Sequence, residues 1–240
     1  MASLDDLPLR DDLRGKKAYG APMVPVRYAL NVNENTHPVP DSVRSAILES
    51  LGHALENINR YPDREFTVLR ESLATYASES HQGDEITPDM VWAANGSNEV
   101  LQHVLQAFGG PGRSLLGFPP TYSMHPIIAE STGTTWIPGR RNEDFTLSTE
   151  SVVADIETHH PDLVFFCAPN NPTGTPVSVD TIAAAYDATS GVVLVDEAYV
   201  EFLPEGTLTA SQLLPGRERL VVSRTMSKAF AFAGARVGYL

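Results

Sequence analysis

From residue 90 onward, short apolar runs alternate with stretches whose apolar residues recur at helical spacing. Residues 91–94 read as a strand and Gly96-Ser97 as a turn. Val100, Leu101, Val104, Leu105 and Phe108 then form one apolar stripe of a helix. Gly109-Gly110-Pro111-Gly112 ends it, and 114–118 is the next strand. Residues 163–168 and 192–196 are continuous apolar runs, the pattern of strands covered on both faces, with a helix over 179–188 between them. A further buried strand is predicted over 220–223 and a last one over 235–240. Strands alternating with helices predict an α/β fold with a mainly parallel sheet.

The first 40 residues break this rhythm: they are rich in Pro, Asp and Asn and read as an arm with one short strand over 28–32. A helix over 41–55 follows, capped by Asp41 after Pro40. The expected organisation is an arm over 1–40 and a larger domain over 41–240. The sequence stops inside an apparent strand with neither cap nor polar tail, as expected of part of a longer protein.

Composition narrows the partners. A hydrophobic fraction of 42% in 240 residues supports a sizeable core. Seventeen basic against 30 acidic residues, a formal charge of -13, argue against nucleic acid or an anionic membrane as partner. Cys167 is the only cysteine, so a disulfide within the chain and a multi-cysteine metal site are excluded, in keeping with a reducing cytoplasm. Seven histidines lack the His-Glu-x-x-His spacing of a zinc site, and no metal is expected. The polar start has no signal-peptide pattern, and no run approaches the roughly 18 apolar residues of a membrane span.

In open α/β sheets ligands sit beyond the carboxyl ends of the strands. Four polar clusters fall there: Gly96-Ser97-Asn98-Glu99, the run from Pro169 to Gly174, Asp196-Glu197-Ala198-Tyr199, and the run from Ser223 to Lys228, with Arg236 eight positions further on. Read alone, each has a plainer explanation. Ser97 and Asn98 read best as an ordinary helix cap, Asp196 equally as a turn residue, and Asn-Pro-Thr-Gly as a turn. Lys228 is less easily dismissed, because Ser-Lys-Ala-Phe-Ala-Phe-Ala sets it in an apolar, small-residue run.

Together, in order and spacing, these strings resemble the class I/II aminotransferases of fold type I, as do Asn33-Glu34-Asn35, Arg60-Tyr61-Pro62 and Pro119-Pro120-Thr121-Tyr122. The resemblance implies a three-layer large domain with an N-terminal arm, the C-terminal small domain being absent or truncated, and pyridoxal 5'-phosphate as cofactor. It implies that Lys228 carries the cofactor on its amine and moves the proton. Asp196 would pair with the ring nitrogen, Tyr199 and Asn171 with the ring oxygen, and Tyr122 would stack on the ring. Ser97, Asn98, Thr225, Ser227 and Arg236 would hold the phosphate, with Tyr61 reaching the cofactor of a neighbouring subunit in a homodimer. Tyr19, Asn33 and Asn171 would contact substrate.

The implied reaction passes an amino group from L-histidinol phosphate, as donor, to the 2-oxo acid 2-oxoglutarate. The alternatives are an aromatic amino-acid donor, or a truncated domain that binds cofactor without turnover. Asn35-Thr36-His37-Pro38 departs from the family's usual Asn-Pro after the glutamate. The family's substrate-carboxylate arginine has no counterpart here, and Arg140, Arg141, Arg217 and Arg219 are expected in exposed polar loops.

Overall fold

The computed structural model describes residues 6–16, 20, 24–79 and 86–240, and the chain forms two compact units, Met1–Glu34 and Asn35–Leu240. In the first unit a single turn, Asp11–Leu13, is flanked by exposed ion pairs, Arg10 with Asp12 at 2.6 Å and Arg14 with Asp11 at 3.3 Å. The strand expected over 28–32 does not form; these residues make a bend and a turn. A lone strand has no neighbour to satisfy its backbone N–H and C=O groups, so apolar alternation alone does not create one.

The second unit contains α1 (Asp41–Leu55), α2 (Thr67–Glu79), β1 (Ala93–Asn95), α3 (Ser97–Phe108), β2 (Ser114–Gly117), α4 (Met124–Ser131) and β3 (Thr135–Pro138). It continues with α5 (Thr149–His159), β4 (Leu163–Cys167), α6 (Val179–Ala188), β5 (Val192–Asp196), β6 (Leu220–Thr225) and β7 (Val237–Tyr239). One seven-stranded sheet has the order β1-β7-β6-β5-β4-β2-β3. Only β7 runs against its neighbours, so the sheet is mainly parallel as expected. The helix over 41–55 is present, but Pro40 rather than Asp41 is its N-cap. Asp41 lies in the first turn, where its charge suits the helix dipole, and it pairs with Arg44 at 2.9 Å. No helix of the described residues is long and apolar enough to cross a membrane.

Pleat alternation divides the core in two. On β4, Leu163 and Phe165 pack with Leu101, Val104 and Leu105 of α3 and Ile128 of α4. Val164 and Phe166 point the other way, to Val152 and Ile156 of α5 and Ile182 and Ala185 of α6. The sheet is therefore the middle of three layers, which explains why its central strands lack polar alternation. Ser148 caps α5 by accepting from Ser151 N at 3.1 Å, and Ser178 caps α6 by accepting from Thr181 N at 3.1 Å. Each such cap contributes about 1 kcal/mol.

One close approach ties β7 to α3. Gly238 of β7 lies directly under the first turn of that helix, where a Cβ would collide with the backbone of Gly96 and Ser97. Gly238→Ala is expected to cost about 1–3 kcal/mol, the usual penalty of overpacking. Gly234, with open space around it, is the control, and its alanine variant should stay within about 0.5 kcal/mol of wild type in urea unfolding.

Candidate active site

Parallel pairing sets Cys167 of β4 beside Asp196 of β5, and Asp196 beside Ser223 of β6. By alternation Asp196 shares the face of Val192 and Leu194, toward α3 and α4. There its carboxylate is buried, with Oδ2 3.2 Å from His125 Nε2 of α4 and Oδ1 accepting from Ser223 Oγ at 3.2 Å. Asp196 is therefore not the turn-capping residue of the plainer reading. His125 is held edge-on between Tyr122 and Phe165, with ring centroids 5.6 and 5.7 Å away.

A cavity of about 90 Å³ opens at this row, lined by Ser97, Asn98, Tyr122, Asn171, Asp196, Tyr199, Thr225, Ser227, Lys228 and Arg236, together with Cys167 and Ala198. Ten residues expected from sequence thus meet in one place. Lys228 Nζ lies 5.8 Å from the centre of the Tyr199 ring, and Asn171 Nδ2 donates to Tyr199 Oη at 3.3 Å. Tyr122 Oη donates to Asn98 Oδ1 at 3.2 Å. Asn35 steadies the lysine loop from behind, donating to Ala229 O at 3.1 Å. A larger cavity of about 330 Å³ lies along β6 and β7, mostly apolar and away from this polar row.

One end of the cavity gathers hydrogen-bond donors. Gly96, with φ of 85°, is the N-cap of α3 and makes no side-chain cap bond, so the N–H groups of Ser97 and Asn98 have no partner within the helix. The Arg236 guanidinium occupies the space that a Cβ on Gly96 would need. Arg236 donates to Ser227 Oγ at 3.3 Å, and Thr225 Oγ1 donates to the same oxygen at 3.0 Å. The Arg236 backbone is left-handed, φ 55°, a conformation that costs a non-glycine residue energy and recurs at binding sites. A helix N-terminus, a guanidinium and two hydroxyls converge here.

Three expected residues are not in this cavity. Tyr61 is fully exposed, Asn33 belongs to the first unit, and Tyr19 lies outside the described residues. Of the four loop arginines, Arg140 is exposed as expected, whereas Arg141, Arg217 and Arg219 are partly buried. Arg140 pairs with Asp155 at 2.7 Å, and Arg141 is half-buried, donating to Phe118 O at 2.7 Å and Phe145 O at 2.9 Å. Arg219 donates to Thr189 O and Gly191 O, both at 2.7 Å, and lies over the Tyr186 ring. Each is fastened to the framework through backbone or acidic partners.

Sequence reasoning missed His125 and Cys167, as well as a buried pair behind the site. Glu197 points to the opposite face from Asp196 and accepts from Arg224 Nη2 at 2.8 Å, from Arg224 Nε at 3.0 Å, and from Ala210 N at 2.8 Å. Breaking such a pair from one side leaves a buried charge alone.

The family description aminotransferase class I and II matches residues 28–240, and the chain belongs to that family. Within it, the chain is 56% identical over 240 residues to the histidinol-phosphate aminotransferase of Paenarthrobacter aurescens (strain TC1), covering 99% of this chain and 63% of that protein. It is 52% identical to the histidinol-phosphate aminotransferase of Thermobifida fusca (strain YX), covering 99% and 64%. The chain thus spans a little under two thirds of the length of these relatives. The crystal structure of histidinol-phosphate aminotransferase from Sinorhizobium meliloti in complex with pyridoxal-5'-phosphate aligns with a TM-score of 0.74 at 23% identity, over 86% of this chain and 54% of that one. At that identity the likeness is one of fold.

Burial, reinforced by the charge of Asp196, pushes the Cys167 thiol up from 9.0 to about 12. The folded chain therefore keeps this proton where the unfolded chain loses it. The stabilisation is complete below pH 9.0 and is lost as pH rises toward about 12. Cys167→Ala should flatten, without abolishing, the alkaline fall in stability measured by urea midpoints, because Tyr76 is also raised to about 12.

Proposed function

We propose that the chain binds pyridoxal 5'-phosphate in the polar cavity and belongs to an enzyme passing the amino group of L-histidinol phosphate to 2-oxoglutarate. The observation that carries the reading is the pairing, in one cavity, of a buried carboxylate at the end of β5 with an amine on the loop after β6. The donor set fits this cofactor at both ends. Arg236, Ser227, Thr225 and the start of α3 suit a phosphate dianion, while Asp196 suits a protonated ring nitrogen.

Bound pyridoxal 5'-phosphate supplies an electron-withdrawing ring that stabilises negative charge on the carbon bearing the amino group. Asp196 keeps a proton on the ring nitrogen, and His125 and Ser223 hold that carboxylate in place. Asn171 and Tyr199 would supply donors for the ring oxygen, and Tyr122 would pack against the ring. Lys228 Nζ would hold the cofactor, and the same amine would move the proton at the substrate carbon.

The curated relatives' shared name supports histidinol phosphate over an aromatic amino acid. Fixing the substrate's own anion calls for a guanidinium or similar donor. Arg140, Arg141, Arg219, Arg224 and Arg236 are already engaged. That supports a role for parts of the relatives' length which this chain does not span. The reading puts the chemistry in the cytoplasm, where Cys167 stays reduced.

A homodimer is part of the proposal. No residue of α1 is buried, and Val43, Ile47, Leu51 and Leu55 form an exposed stripe at four-residue spacing. Tyr61, fully exposed just beyond it, is free to enter a neighbour's site. Leu51→Glu should weaken self-association by about tenfold or more in sedimentation equilibrium.

The test of function is direct. Loaded with cofactor, the chain should absorb visible light, and borohydride should fix the cofactor on Lys228, one of only three lysines. Lys228→Ala should abolish this, and fixation on Lys16 or Lys17 would overturn the assignment. Asp196→Asn should lower amino transfer by at least about a hundredfold, the scale of one well-placed electrostatic group. The 240-residue chain should itself transfer amino groups only poorly from histidinol phosphate, phenylalanine or glutamate.

A further inference from the structure

We infer that Tyr76 of α2, which does not line the cavity, is a positioning residue that sets the spacing between Lys228 and Tyr199. Its hydroxyl donates to Glu201 Oε1 at 3.3 Å, and Glu201 follows Tyr199 by two residues. Its ring meets Phe230 edge-on, with centroids 5.5 Å apart and planes at 82°, and Phe230 follows Lys228 by two residues. One side chain therefore grips both segments. Behind it, the cluster of Leu73, Ala74, Val91 and Tyr239 also receives Met226, so the lysine loop is backed on either side of Lys228.

The two grips differ in kind. The contact with Phe230 is apolar and aromatic, worth more than its area alone. The contact with Glu201 is a hydrogen bond in a half-buried setting, where burial raises the carboxyl and pushes the phenol up to about 12. The phenol therefore remains a donor through the working range of pH. Among the described residues Glu201 Oε2 has no hydrogen-bond partner, so removing the Tyr76 hydroxyl takes a donor from a carboxylate that has few. Lys228 Nζ lies 5.8 Å from the Tyr199 ring centre, and a site of this kind tolerates displacements of only about 0.5 Å. The inference rests on the roles proposed above for Lys228 and Tyr199.

The experiment compares wild type with Tyr76→Phe, Phe230→Leu and the double variant Tyr76→Phe/Glu201→Gln. Tyr76→Phe keeps the ring and loses only the hydroxyl. In the chain loaded with pyridoxal 5'-phosphate, the pH midpoint of the visible absorbance is expected to move by about half a unit or more in either single variant. In the cofactor-free chain, labelling of Lys228 by an amine-directed reagent, normalised to Lys16 and Lys17 by peptide mass spectrometry, should rise about threefold as the loop loosens. The double variant should stay close to Tyr76→Phe in both readouts, because a neutral amide relieves the stranded charge without restoring the link to position 76; full recovery would assign the effect to the carboxylate and overturn the inference. Lower melting temperatures with wild-type midpoint and labelling would make Tyr76 an ordinary packing residue and overturn the inference. Failure of wild type itself to fix cofactor on Lys228 would instead overturn the functional reading, while the labelling comparison still decides the role of Tyr76.

Discussion

Because β4, β5 and β6 run parallel and in register, Cys167, Asp196 and Ser223 share a row, and the pleat turns all three toward α3 and α4. A shift of β5 by one residue would exchange the environments of Asp196 and Glu197. Asp196 would then face the Arg224 side, and Glu197 would face His125. Both carboxylates are almost wholly withdrawn from water, so neither exchange is tolerable without losing partners at once. The register is thus fixed by the apolar faces of Val192 to Val195 and again by the two charges that follow them.

The two neighbours solve the cost of burial differently. Glu197 is closed off by two N–H groups of one guanidinium and by a backbone N–H, and has little left to offer a ligand. Asp196 is held by one imidazole nitrogen and one hydroxyl and still borders the cavity. The enclosed carboxylate lies on one side of the strand and the one bordering the cavity on the other, separated by a single peptide unit. The anion end shows the same economy: Gly96 and Gly238 leave out side chains so that Arg236 and the start of α3 can occupy their volume.

Much of this was legible beforehand because it was local. The apolar runs at 163–168 and 192–196 appear as β4 and β5, each within a residue of the expected bounds, and α6 matches its expected span. Asn171, Tyr199 and Lys228 carried signals in adjacent residues. His125 did not: its partner Asp196 lies 71 positions away, and only the placement of α4 beside β5 joins them. β3 was missed because Trp136 and Ile137, between Gly133 and Gly139, make too short an apolar run to distinguish from a loop. Helix α5 was missed although Ser148, followed by Val152 and Ile156 at four-residue spacing, marks its start. The strand expected at 28–32 failed for the opposite reason, since a local pattern had no neighbour to pair with.

The uncovered helix α1 has a consequence for how the molecule matures. Fifteen residues with none buried receive almost no tertiary support, and a helix of that length by itself sits near the balance point between helix and coil in water. In the proposed homodimer, covering its apolar stripe and ordering its backbone would be a single thermodynamic event. Helical content in this segment would then depend on protein concentration, and dilution would unwind α1 before it disturbs the sheet.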